Sequence, residues 1–244
     1  MIDFKEYSEK FINLYTDEIP EVLLGLLEKD NRLDLSVLDL GCGDGALLMS
    51  LYNKGYLKNM RRIVGVDLST KRIERLKSKA IFKVELVCSD ACNVKQLEDS
   101  TFDYVFSESL IEHVPDDKAL LVEIQRLLKK DGVLHISSIV KRKYGWYVYR
   151  CNNKWVRDPT HIREYSSEQE FVSLIRNSGL KIIEFKTKSC KFHPVEFLIR
   201  RIYFLIFKPK NINSFFLRHR ILDKLRIIKI PIIGYYNIEV VVKK

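Results

Sequence analysis

A glycine-rich segment between an apolar run and a helical pattern constrains the fold of this chain more than any other feature. The segment reads Val37-Leu-Asp-Leu-Gly-Cys-Gly-Asp-Gly45. Its apolar start is typical of a buried strand, and its three glycines permit a tight turn into a helix and a close backbone approach to a ligand. In parallel sheets such loops lie at the carboxyl ends of the strands, where ligands bind. The segment therefore predicts a strand–loop–helix unit with a ligand site.

The same alternation of strand and helix patterns continues along the chain and indicates an α/β fold with a parallel sheet and helices on both faces. An amphipathic helix is expected first, over 17–29. Further strands are predicted at 62–67, 84–90, 102–107 and 132–138, and helices at 44–54, 69–79, 117–130 and 167–178. The runs 181–185 and 235–242 are expected to form the last two strands, as an antiparallel edge pair.

Length and composition favour one globular domain over residues 1–244, with an N-terminal helical segment over 1–30. The chain is 46% hydrophobic and 30% charged, values that exclude a disordered chain, a fibrous repeat and a polytopic membrane protein. Five scattered cysteines form no C-x-x-C pair, so no metal site is predicted. The N-terminus shows no signal-peptide pattern, and a cytoplasmic location is expected.

The excess positive charge is concentrated near the C-terminus. Residues 186–244 contain 14 Lys and Arg against 3 Asp and Glu, whereas the formal charge of the whole chain is +10. Within this part, residues 190–234 mix apolar and basic side chains and are predicted to form a helical insertion before the last strand. Such helices can lie on an anionic membrane surface, here the inner membrane face, can pack on the domain or on a second copy in a homodimer, or can bind RNA.

Acidic residues around the glycine loop favour a cationic ligand. Asp39 and Asp44 would repel the pyrophosphate of a dinucleotide, although Gly41-x-Gly43-x-x-Ala46 also matches the dinucleotide fingerprint. S-adenosylmethionine (SAM) carries a sulfonium and an ammonium group and no phosphate. Asp67 and Asp90 end the next two strands, where they could accept from ribose hydroxyls and from an adenine amino group. These positions together fit an adenosine ligand with net positive charge.

Five segments together resemble the class I SAM-dependent methyltransferases, in the small-molecule branch of type 11. They are V-L-D-L-G-C-G-D-G at 37–45, V-G-V-D-L-S at 64–69, C-S-D-A at 88–91, F-D-Y-V-F-S-E-S-L-I-E-H at 102–113 and L-L-K-K-D-G-V-L at 127–134. The resemblance covers about residues 30–185 and the closing strand. It implies a Rossmann-like, mostly parallel sheet of seven strands whose last strand is antiparallel, and SAM as the cofactor.

The resemblance also implies a set of cofactor-binding residues. Asp39, Gly41 and Gly43 would line the methionine part of SAM, and Asp67 would bind the ribose. Cys42, between the two glycines, is a further cofactor-binding candidate. The adenine would contact Leu68, Asp90 and Ala91, and Ser107 would lie beside the sulfonium. Two alternatives remain open from the residues alone: a tight turn that binds no ligand, and Asp90 as a simple turn former.

Two histidines are the candidate catalytic residues. His113 follows the fourth strand, and His161 lies in Asp158-Pro-Thr-His-Ile-Arg-Glu-Tyr165. Each could act on the acceptor as a base or hydrogen-bonding group, or could merely hold its loop. Ser167 and Glu170 form a capping-box pattern at the next helix. Five aromatic residues within 141–155 predict either a lid over the acceptor or a surface loop: Tyr144, Trp146, Tyr147, Tyr149 and Trp155.

The function expected from these features is methyl transfer from SAM to an oxygen or carbon of a small or lipid-like acceptor. The chain lacks an Asn/Asp-Pro-Pro-Tyr motif after the fourth strand, which disfavours transfer to a base nitrogen and makes nucleic acid a weaker candidate partner. Two alternatives are an RNA or protein methyltransferase that binds its substrate through the basic residues of 186–244, and a SAM-binding scaffold protein without catalysis.

Overall fold

A seven-stranded sheet forms the centre of the computed structural model, which describes residues 19–58, 60–147, 150–151, 154–155, 157–192, 194, 198 and 228–244. A two-stranded hairpin lies outside the sheet. The strands of the sheet are β1 (Leu35–Leu40), β2 (Met60–Asp67), β3 (Glu85–Cys88), β4 (Phe102–Ser107), β5 (Leu128–Lys141), β8 (Lys181–Phe192) and β9 (Ile230–Lys243), and those of the hairpin are β6 (Arg150–Cys151) and β7 (Lys154–Trp155).

The strand order is β3-β2-β1-β4-β5-β9-β8, with β1 to β5 parallel and β9 antiparallel to both of its neighbours. This confirms the predicted Rossmann-like sheet with a closing antiparallel strand. The order reverses between β1 and β4, and in open α/β sheets ligands bind at the carboxyl ends of the strands beside such a reversal. Asp39 in β1 pairs with Phe106 in β4, and each of these two strands ends one residue later.

Helices cover both faces of the sheet because alternate strand residues point to opposite sides. The helices are α1 (Glu21–Glu28), α2 (Ala46–Asn53), α3 (Thr70–Lys79), α4 (Asp117–Leu127) and α5 (Glu168–Asn177). Leu38 and Leu40 of β1 join the core formed with α4 and α5. Val37 of the same strand joins the core formed with α1, α2 and α3. All six residues of β1 are buried, as its apolar sequence predicts.

The predicted boundaries differ from the structure mainly near β5. The helix expected over 117–130 ends at Leu127, because Leu128 is already extended and pairs with Phe102 of β4. Asp131 then adopts a left-handed conformation (φ 66°) within this strand. The last two strands are longer than expected, so 190–192 and 230–234 belong to the sheet instead of the predicted insertion.

Two predicted segments fall largely on residues that the structure does not describe. Most of the insertion, at 193, 195–197 and 199–227, lies outside the described residues, as do 1–18 of the N-terminal segment. The described end of that segment forms α1. No helix among the described residues is long and apolar enough to cross a bilayer.

Candidate active site

The glycine loop connects β1 to α2 at the sheet reversal. Gly41, Gly43 and Gly45 all have positive φ, at 84°, 54° and 82°. A side chain at Gly41 would also place a Cβ 2.9 Å from Leu110 Cδ1. The amides of Gly41 and Cys42 both donate to the carbonyl of Val66 at the end of β2. The loop is therefore fixed to the sheet in a backbone conformation that favours glycine.

Asp39 places a buried carboxyl group directly before this loop. Its side chain is 2% exposed, and its Oδ2 has no hydrogen-bond partner among the described residues. Burial raises the pKa of the Asp39 carboxyl to about 8, and the charges of Glu108 and Asp67 add to this effect. A buried carboxylate without a partner is costly, and an ammonium or sulfonium group would satisfy it. The residues present thus fit SAM on its methionine side.

Asp67 holds the loop in place and also lines the cavity at the sheet edge. Its Oδ2 accepts from the Gly43 amide at 2.9 Å, and its Oδ1 accepts from the Ser69 amide at 2.8 Å. Burial raises the pKa of Asp67, while these hydrogen bonds oppose the rise. Each carboxylate oxygen retains a lone pair that a ribose hydroxyl could use.

The other predicted cofactor residues lie along the same edge in different environments. Leu68 is 60% exposed, whereas Ala91 is buried and belongs to the core. Asp90 is exposed, and its Oδ1 accepts from the Cys92 amide at 2.9 Å, the turn-forming contact that was the alternative interpretation. Ser107 is fully buried at the end of β4, and its hydroxyl has no partner among the described residues.

The side chains of Cys42 and Asp44 both have contacts within the protein. The Cys42 thiol packs in the core beside Gly65, where an added Cβ would lie 3.1 Å from Sγ. Asp44 forms a buried ion pair with Arg75 of α3, so its charge is balanced within the protein. The carboxylates that would repel a pyrophosphate are therefore Asp39 and Glu108, and Glu108 is not among the predicted site residues.

Glu108 follows β4 and faces the same cavity as Gly41 and Asp67. Its Oε2 accepts from the Ser137 hydroxyl at 2.8 Å, and its Oε1 lies 2.5 Å from Nδ1 of the buried His135. Glu108 is thus a second acidic group near Asp39, whose pKa it helps to raise. The signal that could have identified it is its position one residue after a strand end at the ligand edge.

The two predicted catalytic histidines lie together and also line this cavity, whose volume is 350 Å³. Their ring centroids are 4.9 Å apart in an edge-to-face arrangement. His113 Nδ1 lies 3.0 Å from the Thr160 hydroxyl and 3.3 Å from the Thr160 carbonyl. Burial lowers the pKa of His113 to about 4, so this ring is neutral at pH 7.

His161 is paired with a carboxylate. Its Nδ1 lies 3.2 Å from Glu164 Oε1. Burial works against ionisation of Glu164, but the hydrogen bond from His161 and the charge of Lys141 lower the pKa of that carboxyl below its ordinary value. Because an ionised carboxylate only accepts hydrogen bonds, this contact assigns the proton to Nδ1 and leaves the Nε2 lone pair available.

Glu112 connects the two loops that carry these histidines. Its carbonyl accepts from the amides of Ile162 and Arg163, at 2.9 and 3.3 Å. Its side chain is fully buried, and Oε2 accepts from the Ser138 hydroxyl at 2.8 Å. Its Oε1 has no partner among the described residues, and burial raises the pKa of this carboxyl.

Ligand atoms of Glu112, His113 and His161 all lie within 4.8 Å of one another, so this cluster has the spacing of a metal site. Arg72 and Arg157 line the same cavity. Two guanidinium groups disfavour a divalent cation there, and hydrogen bonding to an acceptor suits the cluster better.

The predicted aromatic lid is only partly described. Tyr147 is half-buried, lines the cavity and packs edge-to-face on Phe192, with ring centroids 5.8 Å apart. Tyr144 and Trp146 are 64% and 48% exposed and do not line it. Tyr149 and the side chain of Trp155 lie outside the described residues.

Comparison with known proteins agrees with this geometry. The family model described as "Methyltransferase domain" matches residues 38–136. A ubiquinone/menaquinone biosynthesis C-methyltransferase of Campylobacter jejuni is 26% identical over 180 residues, which cover 65% of this chain and 75% of the relative. A ubiquinone biosynthesis O-methyltransferase of Neisseria meningitidis is 27% identical over 176 residues, which cover 67% and 71%.

Solved structures share the fold at low sequence identity. The YcgJ protein of Bacillus subtilis superposes with a TM-score of 0.64 at 18% identity, covering 91% of this chain and 97% of that one. The [4+2]-cyclase SpnF gives the same score and identity, covering 91% and 80%. The cyclase illustrates that this fold alone does not determine the reaction. The matched methyltransferase domain, the methyltransferase relatives and the sheet order together support a class I SAM-dependent methyltransferase.

Proposed function

We propose that this methyltransferase transfers the methyl group of SAM to an oxygen or carbon of a small, phenol-like acceptor. One observation carries the proposal: a single cavity is lined both by Gly41 and Asp67 and by His113 and His161. The two relatives described above are named as C- and O-methyltransferases of quinone biosynthesis, which favours an acceptor of related chemistry.

The proposed cofactor side consists of carboxylates and backbone. Bound SAM supplies an electrophilic methyl group on a sulfonium, which is a good leaving group. Asp39 and Glu108 would balance its positive charges, and Asp67 would accept from the ribose hydroxyls. Leu68, Asp90 and Ala91 would meet the adenine, and Ser107 would lie near the sulfonium. Because the leaving group is already activated, correct positioning provides most of the catalysis.

The proposed acceptor side uses His161 as the base. Its Nε2 would accept the acceptor's proton while the acceptor atom bonds to the methyl carbon and the carbon–sulfur bond breaks. Glu164 would orient the ring and stabilise the imidazolium that forms. His113, which is neutral at pH 7 because burial lowers its pKa, would hydrogen-bond the acceptor through Nε2.

We also propose a lipid-linked acceptor reached from a membrane surface. The support is the concentration of 14 basic residues against 3 acidic ones over 186–244. Cationic helices with apolar faces bind anionic bilayers through both kinds of contact. The segment concerned, mainly 199–227, lies outside the described residues.

Methyl-labelled SAM tests the function directly. Purified protein is incubated with the label and a lysate of its source cells, which is then separated into lipid, small-molecule, RNA and protein fractions. We expect label in the lipid or small-molecule fraction with the wild type and clearly less with Asp67→Ala at a SAM concentration near the wild-type Kd. This substitution should weaken SAM binding at least about tenfold by losing charge-assisted hydrogen bonds. Label in RNA or protein would replace the proposed acceptor class. SAM binding without any transfer would favour a scaffold.

A further inference from the structure

A second cavity of 740 Å³ lies next to the first and shares three lining residues with it, Ser109, Arg157 and Lys191. The second cavity is strongly cationic. Five of its lining residues are basic and two are acidic: Lys54, Arg157, Lys188, Lys191 and Lys229, against Glu21 and Glu239.

Both acidic residues of the second cavity are already engaged. Glu21 pairs with Lys188 and with Lys186, the latter at 2.5 Å between Oε1 and Nζ. Glu239 is 5% exposed, and its Oε2 accepts from the Val22 amide in the first turn of α1. Neither carboxylate therefore neutralises the cations at the junction.

Arg157 and Lys191 lie at that junction without a carboxylate partner among the described residues. The half-buried guanidinium of Arg157 donates from Nη1 to Cys190 Sγ at 3.4 Å, a weak acceptor. The carboxylates of the first cavity have other contacts. Asp158 accepts from the Thr160 amide and hydroxyl, at 2.8 and 2.6 Å, and Glu112 accepts from Ser138.

Apolar side chains complete the wall near these cations. Ile139, Tyr147 and Ile232 line the first cavity and belong to one small core cluster. A molecule bound there would meet both this apolar surface and the two cations, Arg157 and Lys191. Arginine and lysine without partners in a concave site are typical of carboxylate and phosphate recognition.

We propose that the methyl acceptor carries a carboxylate or phosphate group, which Arg157 and Lys191 bind while its apolar part contacts Ile139, Tyr147 and Ile232. This inference rests on the proposed function, since it names the acceptor class of the same site. It requires the acceptor to extend from the catalytic histidines to the junction of the two cavities.

Binding of three matched probes tests the inference without any turnover. The full chain is titrated by calorimetry with benzoate, phenyl phosphate and the neutral analogue phenol, and SAM affinity is measured in parallel. We expect at least one acid to bind about tenfold more tightly than phenol, because charge-assisted hydrogen bonds contribute that much. The preferred acid distinguishes a carboxylate from a phosphate.

Four variants locate the binding group. Arg157→Gln and Lys191→Gln should each reduce the affinity for the acid about fivefold or more, and Arg157→Lys should retain part of it. Lys186→Gln, in the same strand but paired with Glu21 and outside both cavities, removes the same charge and should leave the affinity within about twofold. All four should bind SAM as the wild type does.

Two results would overturn the inference: acids that bind no more tightly than phenol, or acid affinities unchanged in Arg157→Gln and Lys191→Gln. If the wild-type protein does not bind SAM at all, this result would instead count against the proposed function. The affinities for the three probes would still decide the present inference. If one glutamine variant does not fold, the other still decides the question.

Discussion

At the scale of single residues, the site contains a carboxyl group that is buried away from water. Asp39 is almost fully buried and has an unpartnered oxygen, and its folded-state pKa of about 8 lies above the ordinary value of 3.8. A carboxyl of this kind lowers the free energy of unfolding as the pH rises from its unfolded pKa to its folded pKa. The protein accepts this cost where a cationic ligand is expected.

SAM affinity should depend on pH through Asp39. In the free protein this carboxyl is largely protonated below pH 8, so binding of a cation must release its proton. We therefore expect the affinity for SAM to fall as the pH drops from 9 to 6, with proton release visible in calorimetry with buffers of different ionisation enthalpy. Asp39→Asn should remove this pH dependence and weaken binding at pH 9 about tenfold or more.

Asp39→Asn should also raise the melting temperature above pH 8, because it removes a carboxyl whose ionisation opposes folding. Asp99→Asn is the matched control, since Asp99 is 74% exposed and pairs only at the surface with Arg126. An unchanged pH dependence in Asp39→Asn would show that another group accepts the ligand's charge.

His161→Gln tests the proposed base. We expect kcat to fall by about 10² to 10⁴, as is typical for loss of a general base, while SAM affinity remains unchanged. Glu164→Gln should lower kcat by a smaller factor, because the neutral amide can still orient the ring but no longer stabilises the imidazolium that forms. An unchanged kcat in His161→Gln would exclude it as the base.

At the scale of elements, the segment that carries His161 is held by β5 and leads into α5. Tyr165 docks on β5, since the Lys141 amide donates to its carbonyl at 2.7 Å. The helix begins with the predicted capping box in a modified form. The Ser167 hydroxyl accepts from the Glu170 amide at 3.1 Å, as expected, but Glu170 Oε2 accepts from the Ser166 amide at 2.7 Å instead of the Ser167 amide.

Ser167→Ala should destabilise the protein through this cap. Loss of an N-cap side chain costs about 1 kcal/mol, which corresponds to a decrease in melting temperature of about 2 to 4 °C for a chain of this size. Ser173→Ala makes the same chemical change at an exposed position inside α5 and should be neutral or slightly stabilising. Equal effects of both substitutions in thermal unfolding would mean that the cap does not stabilise α5.

Local patterns predicted the elements well because strand and helix periods, caps and glycines act over a few residues. The contacts that complete the site could not be predicted in this way. Val22 and Glu239 are 217 residues apart in the chain, and Asp44 pairs with Arg75 across two elements. The contacts of Arg157 with Cys190 and of Glu108 with Ser137 likewise depend on the assembled sheet. The sequence therefore identified the ligand edge but not the charge balance around it.

At the scale of the whole molecule, the charge is polarised along the chain, and this has a measurable consequence. The segment 186–244 carries a large basic excess, and each Lys or Arg near an anionic bilayer contributes about 1 kcal/mol to binding. We expect the protein to float with vesicles containing phosphatidylserine at low salt, and to do so less at 0.5 M salt, where screening is strong. Vesicles of phosphatidylcholine alone should retain little protein.

Replacing Arg218, Arg220, Lys224 and Arg226 by Gln removes four charges from the predicted helical insertion and should abolish flotation. SAM affinity should be unchanged, because the predicted cofactor residues lie between Asp39 and Ser107. Gel shift of RNA with the same two proteins is the competing measurement. The protein could instead bind RNA more strongly than anionic vesicles and lose this binding in the fourfold variant. Residues 186–244 would then be a nucleic-acid-binding segment, and the reason to expect a lipid-linked acceptor would be removed.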